Sequence, residues 1–142
     1  MIIYTLIFLV TILIGSMIFF MAVVSPSVFA TLSTNASSKF LRTIFPRMFL
    51  FGFIITFLSL ILSYISGNIL NSILLIIVAI SFIINRNYLT PEINNFRDKE
   101  LEGDKKASSS FKYMHLLSVL LFVLNFVILI GIVINNYFNY NL

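Results

Sequence analysis

The residues best suited to chemistry lie on the last apolar stretch of the chain, residues 111–134. His115 is the single histidine of the sequence, and histidine is the side chain that most readily exchanges a proton near neutral pH. Ser118 and Asn125 follow it three and ten residues later, so all three fall on one side of a helix. The other residues on that side are apolar. The pattern predicts a membrane helix with one face that prefers protein to lipid.

The composition excludes an ordinary soluble domain. Hydrophobic residues make up 60% of the 142 residues and charged residues 10%, against about 25% charged in soluble proteins. A chain of this size leaves much of its surface exposed, so the apolar surplus must face lipid. The absence of cysteine excludes disulfides and thiolate chemistry. Because the net charge of +4 lies beside apolar segments, we expect it to orient the protein in a membrane and expect no nucleic-acid partner.

Four apolar segments are long enough to be membrane spans, since about 20 apolar residues cross a hydrocarbon core of roughly 30 Å. They are residues 3–24, 47–65, 69–84 and 111–134. The first has no basic residue before it and is too long for a signal peptide, so we expect it to be retained. The short link between the second and third makes them antiparallel neighbours. The sequence therefore predicts an all-α fold, a single domain formed by an antiparallel bundle of four transmembrane helices.

The two longer connections, residues 25–46 and 85–110, decide the expected orientation. All nine lysines and arginines lie in or beside them. The positive-inside rule makes these connections cytoplasmic and places both termini outside, in what we expect to be a bacterial inner membrane. In the first connection, apolar residues oppose Lys39 and Arg42, which predicts a short interfacial helix ahead of Pro46. The mixed charges of the second predict a solvated hairpin.

Several polar or constrained residues are expected at one depth, near the cytoplasmic ends of the spans. They are His115, Ser118, Arg47, Arg86, Pro26 and Pro46. One interpretation is a cytoplasm-facing site in which the histidine is an acid–base group or ligand and the arginines hold an anion. The other is that the arginines reach lipid headgroups and the histidine makes a polar contact at the interface. The pattern identifies no catalytic residue.

Asn125 is expected to have a separate, structural role. It lies about 15 Å deeper than His115 at about 1.5 Å rise per residue, so the two do not share one small site. An amide in hydrocarbon seeks a partner on another helix, and Thr11, Ser63 and Ser72 lie at similar depth. Such a bond contributes about 0.6–2 kcal/mol, which suits helix packing.

We expect no metal and no cofactor, with two less favoured alternatives. Four methionines near the cytoplasmic ends could hold Cu(I), although methionine more often fills gaps in a core. They are Met17, Met21, Met48 and Met114. Haem would gain one axial ligand at most from His115. No acidic residue lies in any predicted span, which argues against the usual proton-coupled transporter.

Four groups of short motifs, in order along the chain, resemble the transmembrane protein 205-like family. They are residues 15–19 with 24–29, residues 45–49, residues 85–86 with 89–93, and residues 111–118 with Asn125. The last group has Phe and His four residues apart, then Ser and Asn. Met48 departs from the pattern, which usually has an aromatic residue there. That family is a membrane domain of unknown function, so the resemblance implies an integral membrane protein and no settled reaction.

We expect a non-enzymatic interaction or transport-accessory subunit. Small residues recur along the first span at Thr11, Gly15 and Ala22, a pattern typical of close helix contact, so we expect a homo-oligomer or a complex with another membrane protein. Two alternatives remain open. One is a membrane-embedded oxidoreductase with a cofactor near His115. The other is a small permease, which would need an oligomer because four helices are too few for most transport paths.

Overall fold

The computed structural model is a bundle of four long helices, described for residues 1–141 and for the side chains of residues 1–138. The helices are α1 (Ile2–Thr31), α2 (Thr34–Ile65), α3 (Ile69–Leu101) and α4 (Lys105–Asn141). All four are long and apolar enough to cross a membrane, and no strand occurs within residues 1–141. The predicted all-α bundle of four helices is confirmed.

Each helix packs against the next one along the chain, and α4 returns to pack against α1. In the described part of the chain, the backbones of α2 and α4 do not approach each other, nor do those of α1 and α3, so each of these pairs lies diagonally across the bundle. Buried residues recur every three or four positions on each helix, which gives each a face toward the core. The core comprises Leu6, Val10, Leu13, Met17, Phe49, Leu75, Val78, Phe82, Phe122, Leu129 and Ile132.

Two of the helices contain a wide, π-helical turn. These turns are Phe20–Val24 in α1 and Asn85–Leu89 in α3. Each is followed directly by a hydroxyl residue and a proline, Pro26 or Pro91. A proline inside a helix clashes with the carbonyl four residues earlier and donates no hydrogen bond, and a wider turn gives its ring room. Both helices therefore continue past their prolines.

The expected connections are mostly helical. The predicted interfacial helix is continuous with α2, which passes through Pro46 without a break. The predicted hairpin at residues 85–110 is instead the end of α3 and the start of α4, joined at residues 102–104. A helix that continues beyond the apolar layer keeps its backbone groups hydrogen-bonded. A single proline removes only one of those bonds. The four predicted spans lie within these longer helices.

The two ends of the bundle differ in sequence. One end, here called the proline end, holds Pro26, Pro46 and Pro91 together with the turns from α1 to α2 and from α3 to α4. The opposite end, called the terminal end, holds both chain termini and the α2–α3 turn. There the Ser72 hydroxyl donates to the Ser63 hydroxyl at 3.0 Å, which fixes α2 against α3.

Candidate binding pocket

A cavity of about 590 Å³ lies among all four helices at the proline end. This volume is within the range of small-molecule sites, roughly 300–1,000 Å³. α1 contributes Phe20, Met21, Ser25 and Phe29; α2 contributes Thr34, Ser37, Ser38, Leu41, Arg42, Phe45, Met48 and Phe49. α3 contributes Thr90, Ile93, Asn94 and Arg97; α4 contributes Phe111, His115, Ser118, Val119, Phe122 and Val123.

The walls of the cavity are ordinary helix faces. On α4 the lining residues Phe111, His115, Ser118 and Phe122 follow one another at steps of four, three and four. This spacing brings side chains to one side of a helix. The sequence predicted the same face from His115 and Ser118 onward. The cavity is thus built where the polar part of the α4 face meets the ends of the other three helices.

A layer of phenylalanine rings closes the cavity toward the middle of the bundle. Ring centroids are 5.2 Å apart for Phe20 and Phe45, 6.0 Å for Phe45 and Phe49, and 6.5 Å for Phe49 and Phe122. Phe82 extends the layer, with its centroid 6.4 Å from that of Phe49. We call these five residues the aromatic layer. Offset and edge-on ring contacts of this kind add to the stabilisation from burial alone.

Two arginines line the cavity near the helix ends. The Arg42 guanidinium donates to both carboxylate oxygens of Asp98, at 3.0 and 2.5 Å, and so links α2 to α3. Arg97 donates to Glu100 at 2.5 Å. Neither carboxylate lines the cavity, so the arginines are the charged groups that face it. An arginine has five N–H donors, and these ion pairs use only some of them.

His115 is held by its neighbour Phe111. The two rings are nearly parallel, with an angle of 11° and centroids 5.9 Å apart. The Arg97 guanidinium lies 5.3 Å from the centroid of the same phenylalanine ring. Within the described part of the chain, no hydrogen bond involves the imidazole, and the residue is exposed. The side chain is therefore available to water or to a molecule in the cavity.

Ser118 has a defined hydrogen-bond partner. Its hydroxyl donates to the Asn85 side-chain oxygen at 2.5 Å, joining α4 to the π-helical turn of α3. The Asn85 amide in turn donates to the Ser81 carbonyl at 3.3 Å, and the Thr90 hydroxyl donates to the Asn85 carbonyl at 2.7 Å. Ser118 is 9% exposed and Asn85 is fully buried. This network fixes the α3 side of the cavity.

The cavity gathers part of the predicted cluster. His115 and Ser118 line it, whereas Arg47, Arg86, Pro26 and Pro46 do not. Arg47 is five positions after Arg42, and five residues turn an α-helix through about 500°, which places the two arginines on different sides of α2. Arg47 is exposed there.

The lining residues that the sequence did not predict for a site include Arg42, Thr90, Asn94 and Arg97. A signal for three of them was present. Thr90, Asn94 and Arg97 are separated by four and three residues, the spacing of one helical face. The interpretation of residues 85–110 as a solvated hairpin hid this face.

Asn125 is separate from the cavity, as its depth predicted. It is fully buried, and neither atom of its amide group has a hydrogen-bond partner among the described residues. The partners suggested by depth do not reach it. Thr11 is exposed and donates to the Ile7 carbonyl at 2.8 Å, while Ser63 and Ser72 bond to each other.

The candidate metal ligands are only partly brought together. Met21 and Met48 line the cavity with His115, whereas Met17 is buried in the core. Among the residues described, no group of three His, Cys, Asp or Glu could hold a metal ion. We therefore assign no metal ligand.

One comparison with known proteins gives a match. A family model described as a domain of unknown function (DUF4149) matches residues 8–102. The match covers most of α1 and all of α2 and α3, and it ends before α4, which carries His115, Ser118 and Asn125. No curated protein and no solved structure matches the chain.

Proposed function

The chain belongs to the DUF4149 family, a domain of unknown function, and from that premise we propose that it is a non-enzymatic membrane protein that binds an amphipathic molecule with an anionic head group. The cavity at the proline end is the proposed binding site. On this basis the protein is an interaction or transport-accessory subunit. The motifs quoted above support a further kinship with the transmembrane protein 205-like family.

The uneven chemistry of the cavity carries this proposal. Its inner boundary is the aromatic layer, which suits an acyl chain or another apolar group. The side chains of Arg42, Arg97 and His115 stand near the helix ends, with no carboxylate among the described lining residues. A guanidinium matches the geometry of carboxylate and phosphate oxygens, and it keeps its charge at any physiological pH. An apolar group bearing one anionic end fits both parts.

The rim of the cavity supports entry from the bilayer. Four of the lining residues on α1 and α4 are large, apolar and exposed: Met21 is 41% exposed, Phe29 65%, Val119 43% and Val123 46%. Side chains of this kind on membrane helices face lipid. An opening between α1 and α4 would admit a hydrophobic molecule sideways, without passage through water.

The distribution of basic residues supports a cytoplasmic position for the cavity. All nine lysines and arginines lie toward the proline end, and such residues are retained on the cytoplasmic side. The proposed ligand would then come from the inner leaflet of a bacterial inner membrane, with both termini outside. Impermeant thiol labelling of Ser108→Cys and Asn141→Cys in intact cells tests this orientation. Labelling at position 108 would contradict it, and labelling at position 141 is expected.

Self-association is proposed for the outer face of α1. Thr11, Gly15 and Ala22 are all exposed there, so the small residues are available to a second helix. A groove of about 470 Å³ runs beside Gly15 between α1 and α2. A second copy or another membrane protein could pack a helix against this face.

Ligand retention in native mass spectrometry tests the binding proposal. Protein in mild detergent is offered oleate or the neutral monoolein. We expect the wild type to retain oleate in preference to monoolein, because the arginines favour the carboxylate. Arg42→Gln and Arg97→Gln should each reduce oleate retention several-fold. Arg47→Gln is the matched control, since it removes an exposed arginine of α2 outside the cavity and should leave retention unchanged.

Two outcomes would contradict this function. Equal retention of oleate and monoolein would show that the head group is not recognised. An equal loss of oleate in all three arginine variants would show that general surface charge attracts it, and not the cavity.

A further inference from the structure

Two polar side chains in the middle of the core have no partner. Thr56 and Asn125 are both 0% exposed. The Thr56 hydroxyl and both amide atoms of Asn125 lack hydrogen bonds to any described residue. Buried polar groups in folded proteins are nearly always paired with protein or ordered water, because an unpaired group keeps its full desolvation cost.

The backbone of α2 could accept a hydrogen bond from the Thr56 hydroxyl, but no such bond is made. A buried hydroxyl can donate to the carbonyl four residues earlier, and Ser59 does so on the same helix, to Ile55 at 2.9 Å. Thr11 makes the same kind of bond on α1. Thr56 makes no such bond, so its buried hydroxyl lacks a hydrogen-bond partner among the described residues.

The helix register places Thr56 at the level of the middle of α3. The hydrogen bond between Ser63 and Ser72 marks two residues at equal depth on α2 and α3. These two helices are antiparallel. Counting seven residues toward the proline end gives Thr56 from Ser63 on α2 and Ala79 from Ser72 on α3. Thr56 therefore lies level with Ala79, which is also buried.

The same count places Asn125 at that level on α4. The hydrogen bond between Ser118 and Asn85 marks equal depth on α4 and α3. Seven residues toward the terminal end lead from Ser118 to Asn125 and from Asn85 to Val78. Thr56 and Asn125 thus lie within about one residue, or roughly 1.5 Å, of each other in depth.

The two side chains enter the core at the same depth from helices on opposite sides of the bundle. Both are fully buried, and they belong to α2 and α4, which lie diagonally. Neighbouring helix axes are about 8–10 Å apart, so diagonal axes are roughly 11–14 Å apart. A threonine and an asparagine leave a gap of a few ångströms at that separation, which suits an intervening small polar molecule. Ser81, about one turn nearer the proline end, offers a third unpaired hydroxyl.

We propose that buried water binds at this place, bridging Thr56, Asn125 and Ser81. The four unpaired atoms are the Thr56 and Ser81 hydroxyl oxygens and the amide oxygen and nitrogen of Asn125. Buried water typically makes about three hydrogen bonds to such groups. We call this the central water site. It adds a polar link between α2 and α4, which also meet through the rings of Phe49 and Phe122.

The central water site is distinct from the cavity at the proline end. None of its three residues lines that cavity. Phe49, Phe82 and Phe122 of the aromatic layer are buried on the proline-end side of Thr56 and Asn125. The bound water is therefore part of the folded core and is independent of the proposed ligand.

Thermal unfolding in detergent tests the bridge through paired substitutions. Thr56→Val and Asn125→Leu should each lower the midpoint, because each leaves the other group and the water with fewer partners. The double variant should fall no further than the more damaged single variant, since both polar groups are then removed. A control cycle combines Ser59→Ala with Asn125→Leu. In that cycle the two changes in unfolding temperature should add. Additive shifts in both cycles would overturn the bridge.

Water-edited solid-state NMR on the wild-type protein in lipid tests the water directly, whatever the variants do. Magnetisation from water should reach the side-chain amide of Asn125 rapidly. Asn136 is the control, because it is almost as buried and its amide already donates to the Ile132 carbonyl. Slow build-up at both amides would show a dry core and overturn the site.

Discussion

α1 and α3 run in the same direction and each contains a π-helical turn before a proline, yet the two turns are supported differently. In α3 the hydroxyl before the proline, Thr90, donates to the Asn85 carbonyl, and Asn85 accepts from Ser118 on α4. In α1 the corresponding hydroxyl belongs to Ser25, for which no hydrogen bond is found in the described residues, and the π-helical turn beside it is apolar. The π-helical turn is stabilised by side-chain hydrogen bonds in α3 and by apolar contacts in α1.

Bonding between helices shows the same contrast at the proline end. Beyond the wide turns each helix buries one described residue, Val28 on α1 and Thr90 on α3. α3 continues into Leu101, and Asp98 there is bonded to Arg42 of α2. We infer that α3 and α4 form a fixed wall of the cavity and that the end of α1 is the adjustable wall. Movement of α1 would widen the proposed lateral opening.

The largest expected loss of stability comes from a substitution that crowds the contact between α2 and α3. A Cβ added at Gly52 of α2 would approach the Phe82 ring of α3 to 2.7 Å. Phe82 is 1% exposed, so Gly52→Ala should lower the free energy of unfolding by about 1–3 kcal/mol, as overpacking does. Unfolding in detergent measures it.

Gly15→Ala on α1 is the matched substitution, since nothing lies within 4 Å of its added Cβ. It should change the free energy of unfolding by less than about 0.5 kcal/mol, in line with exposed sites. Equal losses at both glycines would remove the distinction between a tightly packed α3 and an open α1.

A smaller effect is expected from releasing the anchor of the α3 turn. Asn85→Leu removes the acceptor of the Ser118 hydroxyl and leaves that buried group unpaired. The expected loss is about 1–2 kcal/mol in the free energy of unfolding. Asn87→Leu alters an exposed residue of the same turn and should have little effect. If the two variants unfold alike, the bond to Ser118 does not anchor α3.

The smallest expected effect compares the two hydroxyls that precede the prolines. Thr90→Val keeps the side-chain shape and removes the hydrogen bond to the Asn85 carbonyl, with an expected loss of about 0.6 kcal/mol, the average for such bonds in a membrane protein. Ser25→Ala should leave stability unchanged. A loss at Ser25 as large as that at Thr90 would mean that the α1 turn is anchored as well.

Hydrophobic periodicity was sufficient to predict the bundle and the face of α4. An apolar segment must reach a minimum length to cross a bilayer, so the spans can be recognised in the sequence. His115 and Ser118 are spaced so that they lie on one face of a helix. The arginines of the cavity could not be assigned in that way. Arg42 and Arg47 are both near the end of a span, and only the rotation of α2 within the bundle decides which one faces the cavity.

The chain near Pro91 shows why the sequence pattern gave a wrong prediction for residues 85–110. Proline and mixed charges there favoured an interruption of the helix. In the structure the π-helical turn makes room for the proline ring, and Arg97 pairs with Glu100 three residues later. The wide turn of α3 is anchored by a tertiary bond, from Ser118 to Asn85, and no pattern within the segment itself reports that bond.

The aromatic layer also has an electrical consequence. Its rings contact one another between the cavity and the terminal end, so an anion beside Arg42 or Arg97 would meet apolar side chains in that direction. A transmembrane voltage contributes about 2.3 kcal/mol per elementary charge for each 100 mV that the charge traverses. An anion held beside those arginines stays on one side of the layer and traverses only a small part of that voltage. Its occupancy should therefore be nearly the same in energised and in depolarised membranes.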